Sequence, residues 1–180
     1  MGDDSSMIAY STLPDYLETG LKLVFVGINP GLYSVARGHY FARPTNRFWP
    51  AFSRSRLSEP IRTALGRQIL RPEDDSLLPG FGIGFTDTVK RPTRNAAALA
   101  PADFQEWTPI LLDHLRTFRP GVACFHGLTA YRHFARYALS LEETEFALGP
   151  QAQRIKSTRL FVVPNPSPAN AHFRHDEIAA

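Results

Sequence analysis

Short apolar runs alternate along this chain with segments of helical period. Leu21-Lys22-Leu23-Val24-Phe25-Val26 reads as a buried strand that stops abruptly at Gly27. Residues 1–20 before it read as an irregular lead-in with a short amphipathic turn near Tyr16. A loop rich in Gly, Pro and aromatic residues follows from Asn29 to Pro44. Asn46 is placed to cap a helix that turns Phe48, Trp49 and Phe52 to one side, with Pro50 tolerated in its first turn. The pattern predicts a second helix over 60–70 and a loop over 74–80. Gly82-Ile83-Gly84-Phe85-Thr86-Asp87 reads as a strand with a polar end. Residues 101–118 form the clearest helix, with Pro101 at its start and Phe104, Trp107, Leu111, Leu115 and Phe118 at helical spacing. A strand over 122–125, a helix over 128–139 and a last strand over 160–163 complete the pattern. That strand runs into Pro164-Asn165-Pro166-Ser167-Pro168.

Alternating strands and helices predict an α/β fold, a three-layer α/β/α arrangement around a short, mostly parallel central sheet. Neither an internal repeat nor an interdomain linker interrupts the chain, so residues 1–180 are expected to form one domain. Such sheets bind ligands beyond the carboxyl ends of their strands. Three polar segments fall there: Gly27–Gly31, Thr86–Arg94 and Asn165–His172.

Composition narrows this picture. At 180 residues and 43% hydrophobic, the chain suits a single core. The net charge is only +3, but eight arginines against one acid, Glu59, lie between Leu32 and Pro72. Such a field suits phosphate neutralisation; a solvated helix face would look the same. Cys124, the single cysteine, sits in an apolar run and reads as a core residue. The six histidines lack metal-binding spacing, and no metal site is expected. The acidic N-terminus lacks a signal-peptide core, and no apolar run approaches the roughly 20 residues of a membrane span. No membrane partner is expected, and a reducing, cytoplasmic setting is.

Two residue types carry candidate chemistry at the strand ends. In Gly27-Ile28-Asn29-Pro30-Gly31 the glycines allow close approach of a ligand, Pro30 stiffens the loop, and Asn29 offers an amide that both donates and accepts. An amide orients water but hardly deprotonates it. Asp87 can accept a proton from water, and so assist or partly replace Asn29. Its other reading is a carboxylate that pairs with Lys90 or Arg91, or caps a turn.

The run from Gly27 to Trp49 resembles the uracil-DNA glycosylase superfamily, in its mismatch-specific uracil- and thymine-DNA glycosylase branch. The resemblance rests on Gly27 to Leu32, Gly38, Phe41-Ala42, Pro44 and Asn46 to Trp49. Arg91-Pro92-Thr93 fits the branch's middle segment and Asn165-Pro166-Ser167 its second motif. It implies a uracil-DNA glycosylase-like fold and a monomeric, monofunctional DNA glycosylase of base excision repair. The substrate would be DNA carrying uracil, or another damaged or mismatched base, and no cofactor is implied. Asn29 would position the attacking water, Phe41 would stack on the everted base, and Ile28 would line its pocket. Gly31 stands where narrowly uracil-specific relatives carry tyrosine, which leaves room for bases larger than uracil. Asn165 and Ser167 would lie near the pocket and the DNA backbone. Lys90, Arg91 and Arg94 are expected at phosphates, as are Arg37, Arg43 and Arg47, with a structural role also open to Arg47.

The chain departs from the pattern after Ser167. Well-known members continue with Gly-Leu-Ser-Arg, which wedges into the duplex; here Pro168-Ala169-Asn170-Ala171-His172-Phe173 follows. Ala169, at the wedge position, is a poor wedge. His172 or Phe173 could fill the gap by stacking, or merely begin a last helix whose first turn is His175–Ala180. Alternative functions are excision of deaminated purines such as hypoxanthine or xanthine, a catalytically weak DNA-damage binder, and a small-molecule α/β enzyme.

Overall fold

A computed structural model describes residues 11–142 and 145–168. Five strands form one sheet in the order β2-β1-β3-β5-β4. β1 (Leu23–Gly27) pairs in parallel with β2 (Ile83–Asp87) and β3 (Val122–His126), and β3 pairs in parallel with β5 (Thr158–Val163). β4 (Gly149–Ile155) is antiparallel to β5. The central strands are buried on both faces, which is why they read as unbroken apolar runs.

Successive side chains on a strand point to opposite faces, so two separate cores result. Val24, Val26, Ala123, Phe125, Leu160 and Val162 pack on one side with α4 (Pro101–Phe118) and α5 (Leu128–Ala138). Phe25, Phe85, Ile83 and Cys124 pack on the other. There they meet α2 (Phe48–Arg54) through Phe48, Trp49 and Phe52, and α3 (Glu59–Leu65) through Ile61. The architecture is thus a three-layer α/β/α fold with a mostly parallel sheet.

Several local expectations change. The loop after β1 contains α1 (Leu32–Arg37). The helix expected over 60–70 stops at Leu65, because Gly66 takes a left-handed φ of 63° and closes the last turn. Residues Pro72–Phe81 are 3-10 helical rather than a plain loop. In α4, Thr108 and Leu112 are buried beside Phe104, Leu111 and Leu115, while Trp107 and Phe118 are only half-buried. Thr108 satisfies its hydroxyl on the Phe104 carbonyl, 2.8 Å away, and so tolerates the core.

The lead-in is more ordered than its sequence suggests from residue 11 onward. Tyr16 exchanges both backbone hydrogen bonds with Phe85, at 2.9 and 3.2 Å, and covers the edge of β2. Leu13 enters the aromatic core. This docking also carries Asp15 to the carboxyl end of the sheet.

Candidate active site

Register decides which side chains meet at the strand ends. Gly27 of β1 lies opposite Asp87 of β2, and His126 follows Phe125, the partner of Val26, on β3. By alternation Asp87, Gly27 and His126 share the face of Phe85, Phe25 and Cys124. Gly27 contributes no side chain, so a gap opens between Asp87 and His126. A cavity of about 880 Å³ occupies this end of the sheet. Its lining includes Gly27, Ile28, Asn29, Gly31, Phe41, Asp87, His126, Asn165 and Ser167.

Asn29 is held in one orientation. Its Nδ2 donates to the Arg91 carbonyl at 3.0 Å, to Thr93 Oγ1 at 2.7 Å and, more weakly, to the Pro30 carbonyl at 3.3 Å. Thr93 Oγ1 spends its own proton on the Asn95 carbonyl at 2.7 Å, so it can only accept from Asn29. These acceptors fix the amide flip. Oδ1 accepts no hydrogen bond among the described residues. Asn29 therefore presents a carbonyl oxygen to the cavity, which suits holding a water by one of its protons.

Asp87 is 5% exposed and lies against the same cavity. A Cβ placed on Gly27 would lie 2.4 Å from its Oδ1, so that oxygen leans over the glycine into the gap. Oδ2 points the other way, 3.7 Å from Lys90 Nζ, and has no hydrogen bond among the described residues. Burial pushes the carboxyl up to about 7, with Lys90 pulling against it and Asp15 adding to it. Asp87 can thus exchange a proton near neutrality at the cavity that Asn29 also lines. Both readings of Asp87 meet here, since it faces Lys90 and lines the cavity.

Phe41 is set by the loop after α1. Its backbone takes a left-handed φ of 53°, uncommon for an aromatic residue, and its ring stacks on Phe48 with centroids 4.3 Å apart. Asp75 holds the preceding residues, accepting from Tyr40 N at 2.8 Å and lying 3.0 Å from His39 Nδ1. Trp49 Nε1 donates to the Tyr40 carbonyl at 2.9 Å. Phe41 is thereby left half-buried at the cavity wall.

The second motif is clamped from α2. Arg47 donates through Nη2 to the Ser167 carbonyl at 2.9 Å, and its backbone N–H donates to the Pro166 carbonyl at 3.1 Å. Arg47 thus ties the start of α2 to the second motif, which fits the structural role left open for it. Asn165 Oδ1 accepts from Ser167 N at 2.9 Å and closes the turn. Asn46 accepts from Phe48 N at 2.9 Å and turns the chain into α2, but the N-cap itself is Arg47, without a side-chain cap bond, one residue later than expected.

The expected phosphate contacts divide. Arg43 and Arg94 are exposed and line the cavity, and Arg37 is exposed on α1. Lys90 is not a surface cation. It is 9% exposed, and its Nζ donates to Asp15 Oδ1 at 2.7 Å. Arg91 is drawn to Asp103 by two hydrogen bonds, at 2.6 and 2.7 Å. Both cations turn to carboxylates of the protein, so the phosphate role expected of them does not fit their placement. Ala169, His172 and Phe173 lie outside the described residues.

His126 was not singled out by sequence reasoning. It lines the cavity, packs its ring against Phe41 with centroids 5.2 Å apart, and is held by burial down at about 3, hence neutral. Only its position at the polar end of an apolar strand could have drawn attention to it. Among the described residues no cluster of three His, Cys, Asp or Glu is placed to hold a metal ion.

Comparison with known proteins agrees with this geometry. The family profile of the "Uracil DNA glycosylase superfamily" matches residues 14–179. The chain is also 31% identical over 153 residues to a protein of Schizosaccharomyces pombe described as "G/U mismatch-specific uracil DNA glycosylase". That alignment covers 83% of this chain but 45% of the relative, so the chain spans less than half of that protein's length. With the profile covering nearly every residue and the strand-end loops arranged as described, the chain belongs to the uracil DNA glycosylase superfamily.

Proposed function

We propose that this protein is a monofunctional DNA glycosylase that hydrolyses the N-glycosidic bond of uracil in DNA. The observation that carries this reading is the pairing of an unused Asn29 carbonyl with a buried, proton-exchanging Asp87 at one cavity beside Phe41. A base inside a duplex is out of reach, so the nucleotide must be everted, at a cost of a few kcal/mol that a mismatched pair lowers. The everted base stacks on Phe41, with Ile28 and Asn165 lining the remaining wall. As the glycosidic bond lengthens, the sugar becomes positive and the departing base negative. Asn29 Oδ1 holds a water for attack on the sugar C1′, and Asp87 Oδ1 takes the proton that this water releases. Arg43 and Arg94 meet phosphates at the rim, and Ser167 lies beside them.

Gly31 favours a broad range of bases. A Cβ there would meet nothing within 4 Å, so the wall is open where a larger side chain could stand. Uracil opposite guanine, thymine opposite guanine and deaminated purines are all candidates for this space. The protein would act as a monomer, in the cytoplasm, on damaged DNA.

The test is release of free base from oligonucleotides carrying U·G, U·A, T·G, single-stranded U or hypoxanthine. Asn29-dependent release of uracil supports the reading. Binding without release would favour a damage-binding protein and overturn it.

A further inference from the structure

The charge behind Asp87 is arranged with more care than an incidental ion pair requires. Lys90 carries the only cationic side chain among the described residues within 4.0 Å of that carboxylate, and its ammonium is buried. An ammonium enclosed in this way is stable only if its donors are used. Asp15 Oδ1 takes one at 2.7 Å, and the Tyr40 hydroxyl lies 3.3 Å away. Asp15 is itself anchored, since Oδ1 also accepts from Thr86 Oγ1 at 2.8 Å and Oδ2 lies 3.7 Å from His114 Nδ1. The lead-in that carries Asp15 is fixed in turn by the Tyr16 bridge and by Thr12 Oγ1, which donates to the Lys90 carbonyl at 2.7 Å.

We propose that Lys90, tethered by Asp15, is a positioning residue that holds Asp87 Oδ2 from behind and leaves Oδ1 turned over Gly27 toward the water. This rests on the glycosylase reading above, and it gives the lead-in segment a part in the chemistry. Lys90 favours the ionised carboxylate, whereas Asp15 opposes it twice, by its own charge and by competing for the ammonium. The groups facing Asp87 are Lys90 from the loop after β2, Asp15 from the lead-in and Tyr40 from the loop after α1, with neutral His126 across Gly27 on β3.

The two partners therefore have opposite signs, which a merely structural role does not reproduce. Single-turnover uracil release by the full chain is measured from pH 5 to 9. Lys90→Met should move the rising limb upward by about one to three pH units, the range for losing an opposite charge at this separation. Asp15→Asn should move it downward, by about one unit. At a pH near the midpoint Lys90→Met then loses five-fold or more, while Asp15→Asn holds or gains. Carboxyl carbon NMR of Asp87 gives the same midpoint without turnover, in the wild type and in Asp15→Asn, should Lys90→Met not fold. Opposite displacements support the proposal. Equal displacements, or an unmoved limb in both variants of an active enzyme, overturn it. A wild type that releases no base would instead refute the glycosylase reading itself.

Discussion

Replacing Asp87 with Asn tests the buried carboxylate by stability as well as by rate. Its pKa rises from 3.8 to about 7 in the folded chain, chiefly through burial. A folded-state value above the unfolded one means that the native state binds the proton more tightly. The associated stability is fully present below pH 3.8 and is lost as pH rises through 7. About three units at 1.36 kcal/mol each give a loss of about 4 kcal/mol between pH 4 and pH 8. Asn is nearly isosteric and neutral, and Lys90 keeps its 2.7 Å bond to Asp15 in the variant. Asp87→Asn should therefore melt higher than the wild type at pH 8, by roughly 10 °C at about 2–4 °C per kcal/mol, with the gap closing toward pH 4. Thermal unfolding of both proteins across this range gives a difference in which the other carboxylates cancel. The same variant should lose about 10²–10⁴-fold in excision, together with the rising limb through pH 7. A stability difference that stays flat with pH refutes the argument that burial keeps this carboxyl protonated.

Other substitutions probe the remaining parts. Gly27→Ala should displace the Asp87 carboxylate, since the new Cβ would lie 2.4 Å from Oδ1; excision should fall toward the Asp87→Asn level while circular dichroism shows the fold intact. Gly31→Tyr fills open space and should restrict the substrate panel to uracil, with thymine and hypoxanthine lost first. Arg43→Ala and Arg94→Ala should each weaken DNA binding regardless of the base, lowering the slope of log Kd against log salt by about one.

What was legible in the sequence follows from range. β1, β2 and β3 are runs buried on both faces, β5 is an apolar run that buries alternate residues, and Asn29, Phe41 and Asn165 sit in local motifs directly after or between such elements. β4 was missed because its Gly149–Ile155 sequence pairs Pro150 with small and polar residues, as an exposed edge strand can. Lys90 was misread because a cation beside a strand end resembles a phosphate contact. Its partner lies 75 residues away in a lead-in without periodicity, and only the fold brings the two together. His126 was silent for the same reason, since burial against Phe25, Phe41 and Phe48 depends on packing between distant segments.

The central claim is that Asn29 holds the attacking water by an oxygen left free when its amide nitrogen is fully engaged. Uracil release from a U·G duplex by Asn29→Ala and by wild type, measured in single turnover, tests it most directly. The account predicts free uracil from the wild type and a loss of at least about 100-fold in the variant, with duplex binding retained. Equal rates for the two proteins would contradict it.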